Sequence, residues 1–160
     1  MRRLVSIMAA VGALAAISAP AMAEESGAGE LPAGRIVMIK NVQRGTCVLD
    51  EGGDGRPDNL VLRPCDSSNP SQKFHQIPVG THWNFKNLGT GLCMDNNNWE
   101  AYSKYCNGGA AQRWEGREIV ENVMMLKTQY STRCLDSNGS VLFMRECMNQ
   151  PWQRWEIISV

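Results

Sequence analysis

The chain has 160 residues, 43% of them hydrophobic and 20% charged, with Lys plus Arg and Asp plus Glu equal at 16 each. That length suits one domain large enough to hold its own core. The balanced charge excludes a basic field for non-specific nucleic-acid binding and a polybasic membrane patch.

The first element predicted is a leader. Arg2 and Arg3 precede an apolar run from Leu4 to Ile17, and small residues in A-x-A form end at Ala23. Residues 1–23 therefore read as a secretory signal peptide, too short to span a bilayer comfortably, cleaved after Ala23. No later stretch is apolar enough to cross as a helix. Residues 24–34, rich in Gly, Ala, Pro and Glu, read as a flexible segment with nothing to bury. The domain runs over residues 35–160, and the protein is expected to be secreted.

Short apolar or alternating runs follow. In chain order they cover residues 35–40, 60–63, 83–86, 123–127, 141–144 and 155–158. Turn residues separate them: Gly52 to Gly55, Gly89 to Gly91, Asn107 to Gly109 and Ser137 to Gly139. Strands this short, with turns this frequent, predict an all-β barrel or sandwich, and no helix of ten residues is expected past the leader.

One pattern repeats three times. Cys47, Cys65 and Gln72-Lys73-Phe74 recur as Cys93, Cys106 and Gln112-Arg113-Trp114, then as Cys134, Cys147 and Gln153-Arg154-Trp155. A lysine stands seven residues before each leading cysteine (Lys40, Lys86, Lys127), and an aspartate follows it (Asp50, Asp95, Asp136). The second cysteines are 41 residues apart each time. A period of this size means one supersecondary unit used repeatedly. The units span residues 35–79, 80–120 and 121–160, and about four strands in each favour a closed barrel with pseudo-threefold symmetry.

Six cysteines in a secreted chain imply three disulfides and allow fifteen pairings. If the units fold alike, each bridge stays within its unit, as Cys47–Cys65, Cys93–Cys106 and Cys134–Cys147. Loops of this size contribute about 3 kcal/mol apiece through chain entropy. The spacings do not fit zinc, and Asp50, Asp54 and Asp58 do not follow a calcium-loop pattern, so neither a metal nor another cofactor is expected.

These residues resemble the ricin B-chain-type lectin family, the Q-x-W β-trefoils, over essentially the whole domain. The resemblance rests on C-V-L-D at Cys47, C-M-D at Cys93, C-L-D at Cys134, Q-R-W at Gln112 and Gln153, and the weaker Q-K-F at Gln72. It implies an all-β fold, a twelve-stranded β-trefoil of three pseudo-repeats, each with its own disulfide and a shallow sugar pocket. In such a pocket a carboxylate and an amide bond the hydroxyls while an aromatic ring covers the C–H face. The family pattern puts the aspartate after the leading cysteine, the ring two residues before the second cysteine, and an asparagine before the glutamine.

Carried over, the pattern is kept in part. Asp95 and Asp136 are in place, and Asp50 is displaced by one residue. The ring position holds Arg63, Lys104 and Arg145, and the asparagine position holds Ser71, Ala111 and Trp152. Each cation either pairs with the neighbouring aspartate, a contact of little worth when exposed, or engages an anionic sugar. Gln72, Gln112 and Gln153 brace loops or orient the aspartates, and Phe74, Trp114 and Trp155 read as core. In the second unit Asn96, Asn97, Asn98 and Trp99, with Tyr102 and Tyr105, either replace the lost ring or form a polar turn with Trp99 packed on the barrel. The third unit offers Asp136, Asn138 and Trp152.

Catalysis finds no motif: neither G-x-S-x-G nor H-E-x-x-H is present, and no thiol is left free. The expectation is a monomeric secreted lectin that recognises glycans or glycoconjugates through altered pockets, without catalysis. The alternative is a protein-interaction trefoil, a protease inhibitor or the cell-binding subunit of a secreted toxin, that has lost sugar binding.

Overall fold

The computed structural model describes residues 34–56 and 58–160. The expected signal peptide, and all but the last residue of the expected flexible segment, lie outside the described residues. Unit 1 contains β1 (Arg35–Asn41), β2 (Cys47–Asp50), β3 (Leu60–Arg63) and β4 (Phe74–Val79). Unit 2 contains β5 (His82–Asn87), β6 (Cys93–Asn96), β7 (Ala101–Lys104) and β8 (Trp114–Val120). Unit 3 contains β9 (Val123–Thr128), β10 (Arg133–Ser137), β11 (Leu142–Glu146) and β12 (Trp155–Ser159). Three single-turn 3-10 helices, Pro70–Gln72, Ala110–Gln112 and Pro151–Gln153, each end on the glutamine of the repeat.

Six strands close on themselves. β1 pairs with β12 and β4, β4 with β5, β5 with β8, β8 with β9, and β9 with β12. This circuit is a barrel without a free edge. The other six strands form the antiparallel hairpins β2–β3, β6–β7 and β10–β11. Each is tied to the barrel at the same register, Lys40 opposite Cys47, Lys86 opposite Cys93 and Lys127 opposite Cys134. The three bridges fall within the units as the repeat predicts. The architecture is the β-trefoil.

The core lies where the units meet. Phe74, Trp114 and Trp155, each opening the last strand of its unit, are fully buried with Val37, Ile39, Phe85 and Leu126. Each such ring removes about 150–250 Å² from water. The two indole N–H groups donate to Met94 O and Leu135 O, both at 3.0 Å, so burial leaves neither unpaired. Gly116 in β8 leaves room for two side chains: a Cβ there would displace Met124 Sδ and press on the Trp83 ring.

The hairpin tips interlock head to tail. Met144 N–H donates to Trp99 O, Leu62 N–H to Ser140 O and Ser103 N–H to Asn59 Oδ1, each at 2.8 Å. The acceptor is a backbone carbonyl twice. In unit 1, whose β2–β3 connection is longer, the Asn59 side chain takes that role.

Candidate functional site

Units 2 and 3 build the same constellation. Asp95 and Asp136 share a strand face with the leading cysteines and are 4% and 3% exposed. Asp95 Oδ1 accepts the Asn96 N–H at 2.6 Å and Oδ2 accepts Gln112 Nε2 at 2.9 Å. Asp136 accepts the Ser137 N–H at 2.6 Å and Gln153 Nε2 at 3.0 Å.

Each glutamine is itself fixed. Gln112 accepts from Asn107 N and donates to Tyr105 O; Gln153 accepts from Met148 N and donates to Glu146 O. The amide therefore braces the loop after the disulfide and orients the carboxylate, the two roles the sequence left as alternatives. A carboxylate has about four acceptor positions, and two on each aspartate have no protein donor.

Directly across the hairpin from each carboxylate stands an aromatic residue, Tyr102 opposite Asp95 and Phe143 opposite Asp136. Both are half-buried. Side chains two apart on a strand share a face, so Lys104 and Arg145 extend the same surface. The ring missing from the family's stacking position is thus present two residues earlier. Phe143 was not anticipated; the alternation of β11 around Arg145 is the signal that points to it. Burial first, then the charge of Asp95, pushes the Tyr102 phenol above its usual value, with Glu100 and Tyr130 adding to it. Tyr130, on the β9–β10 loop, is 58% exposed.

Pairing of the cations with neighbouring aspartates does not occur. Arg63 reaches Glu51 at 3.0 Å. Among the described residues neither Lys104 nor Arg145 has a carboxylate within ion-pair distance. The Arg145 guanidinium instead lies over the Phe143 ring, 5.2 Å from its centroid.

The asparagines serve the turns. Asn97 Oδ1 accepts the N–H groups of Trp99 and Glu100, and Asn138 Oδ1 those of Ser140 and Val141. Asn96 Nδ2 bridges Ala111 O and Thr128 Oγ1. Trp99 is neither packed on the barrel nor turned to its own unit's cation: it is 62% exposed, and Arg133 of unit 3 stacks on it at 3.7 Å. Trp152 is half-buried, with Arg44 of unit 1 over its ring at 5.1 Å.

Unit 1 differs. Asp50 and Gln72 do not meet. Asp50 is 1% exposed and accepts from Gly52 N at 2.8 Å, Ser103 Oγ at 2.7 Å and Thr90 Oγ1 at 2.6 Å. Gln72 accepts from Asp66 N and donates to Pro64 O, so it braces its loop alone. The position equivalent to Asp95 is Leu49, opposite Val61. Asp50, Arg63 and Gln72 therefore form no common pocket.

A family model described as the ricin-type beta-trefoil lectin domain matches residues 35–155. One component of the cytolethal distending toxin of Campylobacter jejuni is 43% identical over 58 residues, 36% of this chain and 20% of that protein. The chain thus matches about a fifth of the length of this curated relative. Among solved structures, the designed three-fold symmetric protein ThreeFoil is similar with a TM-score of 0.70 at 16% identity, over 78% of this chain and 99% of that one. The cytolethal distending toxin of Actinobacillus actinomycetemcomitans gives a TM-score of 0.67 at 16% identity, over 78% of this chain and 90% of the matched chain.

Proposed function

The chain belongs to the ricin-type beta-trefoil lectin domain family, and from that premise we propose that it is an extracellular, non-catalytic glycan-binding protein with pockets in units 2 and 3. The observation that carries this reading is the repeated carboxylate. Asp95 and Asp136 are each held by a glutamine amide and a backbone N–H, with acceptor positions left over and an aromatic residue directly opposite. Two hydroxyls on one sugar edge fit those positions, and the ring covers the adjacent C–H face. The pockets are shallow, so each binds weakly and clustered sugars add strength through multivalency. Three disulfides and a leader of signal-peptide form support export.

A second reading is favoured by the 58-residue match to a toxin component. In it the domain is the cell-binding part of a secreted toxin and also docks a protein partner. The two readings separate on a glycan array with free-sugar competition. Glycan binding that falls at least tenfold in the Asp95→Asn, Asp136→Asn double variant, with the thermal transition retained, supports the first. Capture of a partner protein that is indifferent to sugar and to both substitutions supports the second alone.

A further inference from the structure

Unit 3 differs from unit 2 in where its neighbouring-unit arginine sits. Arg44, on the loop between β1 and β2, crosses from unit 1 and lays its guanidinium over the Trp152 ring at 5.1 Å. Trp152 immediately precedes Gln153, the residue that holds Asp136. The same guanidinium lies against the β10–β11 turn: a Cβ on Gly139 would stand 2.9 Å from Arg44 Nε and 3.2 Å from Nη2. Gly139 has φ +94°, so it supplies both the turn and the room. On the other side of Asp136, Arg145 lies over Phe143, the carboxylate's cross-strand partner.

Both arginines are exposed, and among the described residues neither has a carboxylate within ion-pair distance. A guanidinium resting on a ring keeps its N–H groups in its own plane, pointing outward. The ring therefore orients the cation without using its donors. Arginine in that state matches a carboxylate or sulfate with two parallel hydrogen bonds.

Unit 2 places its neighbouring-unit arginine differently: Arg133 of unit 3 lies over Trp99 at the β6–β7 tip, and no ring precedes Gln112. Counted from the leading cysteine, the counterpart of Arg44 is Ser131, which bonds Asn98 Oδ1, and the counterpart of Trp152 is Ala111. We infer that the unit 3 pocket is selective for saccharides bearing an anionic group, a carboxylate or a sulfate, which Arg44 and Arg145 recognise while Asp136 takes neutral hydroxyls. The inference rests on the reading of unit 3 as a glycan pocket.

The test titrates the mature protein with lactose, its sialylated form and its sulfated form at low and high salt. The acidic forms should bind at least tenfold more tightly than lactose at low salt, and the margin should shrink as salt rises. Which acidic form leads identifies the anion. Arg44→Gln and Arg145→Gln should each reduce the margin at least threefold. Trp152→Leu, which removes the ring beneath Arg44, should do the same. Arg56→Gln, an equal loss of charge on the β2–β3 loop of unit 1, should leave it unchanged. Equal binding of all three sugars that is lost in Asp136→Asn overturns the anionic preference and leaves the glycan reading standing. An unchanged margin in the Arg44→Gln, Arg145→Gln double variant overturns the assignment of these residues. No binding to any of the three overturns both.

Discussion

Unit 1 and units 2 and 3 share a bridge, a lysine–cysteine register and a 3-10 turn into the closing strand, yet their aspartates bond different partners. The difference is one residue: C-V-L-D in unit 1 against C-M-D and C-L-D in the others. Because side chains alternate along a strand, displacement by one residue moves a carboxylate to the other face. Asp50 thereby joins the face of buried Val48 and ties unit 1 to Thr90 and Ser103 of unit 2. Asp95 and Asp136 stay on the cysteine face, each held by one backbone N–H and one glutamine amide. Position within the strand, rather than the presence of an aspartate, decides which groups the carboxylate bonds.

Stability measurements break this comparison most directly. Asp50→Ala leaves the buried Ser103 hydroxyl and the part-buried Gly52 N–H and Thr90 hydroxyl without their acceptor and should cost about 3 kcal/mol. Asp136→Ala should cost about 1–2 kcal/mol, because Gln153 Nε2 keeps Glu146 O. Urea unfolding of the two variants checks the ordering; equal losses would remove the distinction between the two faces.

The disulfides test the opposite side of the comparison, the scaffold that all units share. Their sequence separations are 18, 13 and 13 residues, and loop entropy depends only on the logarithm of that number. Paired Cys→Ser replacement in each unit should therefore lower stability by a similar amount, about 3 kcal/mol. A loss confined to one unit would show that the thirds are not energetically alike.

The scaffold was legible because its signals are periodic. Cysteines, lysines and the Q-x-aromatic triplet recur in phase, and they fix the bridges, the barrel and the core rings Phe74, Trp114 and Trp155. Individual strands were less so. Runs at 35–40 and 123–127 are apolar enough to announce β1 and β9, whereas β2, β6 and β10 are four or five residues carrying cysteine and aspartate. Their pairing is imposed by the disulfide and the interlocked tips rather than by local preference. β8 is polar and contains Gly116, so its barrel position follows from packing against Met124 and Trp83. The glutamine–aspartate pairs could be read from the repeat. Arg44 could not, since it belongs to unit 1 and reaches unit 3 only through closure of the ring. Asn59 was hidden for a related reason: its oxygen replaces a backbone carbonyl that the other two tips supply.

The smallest expected effect sharpens the contrast between units 2 and 3. Their carboxylates face different rings, and only Tyr102 titrates. Burial, and next the charge of Asp95, raises its phenol above the usual value near 10. A raised folded-state value favours the neutral phenol, so this contribution to stability is fully present below about pH 10 and is lost as pH rises through the folded value. Alkaline unfolding curves should accordingly be flatter for Tyr102→Phe than for the parent protein. Tyrosinate absorbance should show one of the three tyrosines ionising later than free tyrosine. Asp95→Asn should bring that ionisation part of the way back, since burial persists when the charge is gone, whereas Asp136→Asn should leave it unmoved. A late component that survives Tyr102→Phe would mean that another tyrosine carries the shift, and the pairing of ring and carboxylate in unit 2 would lose its spectroscopic support.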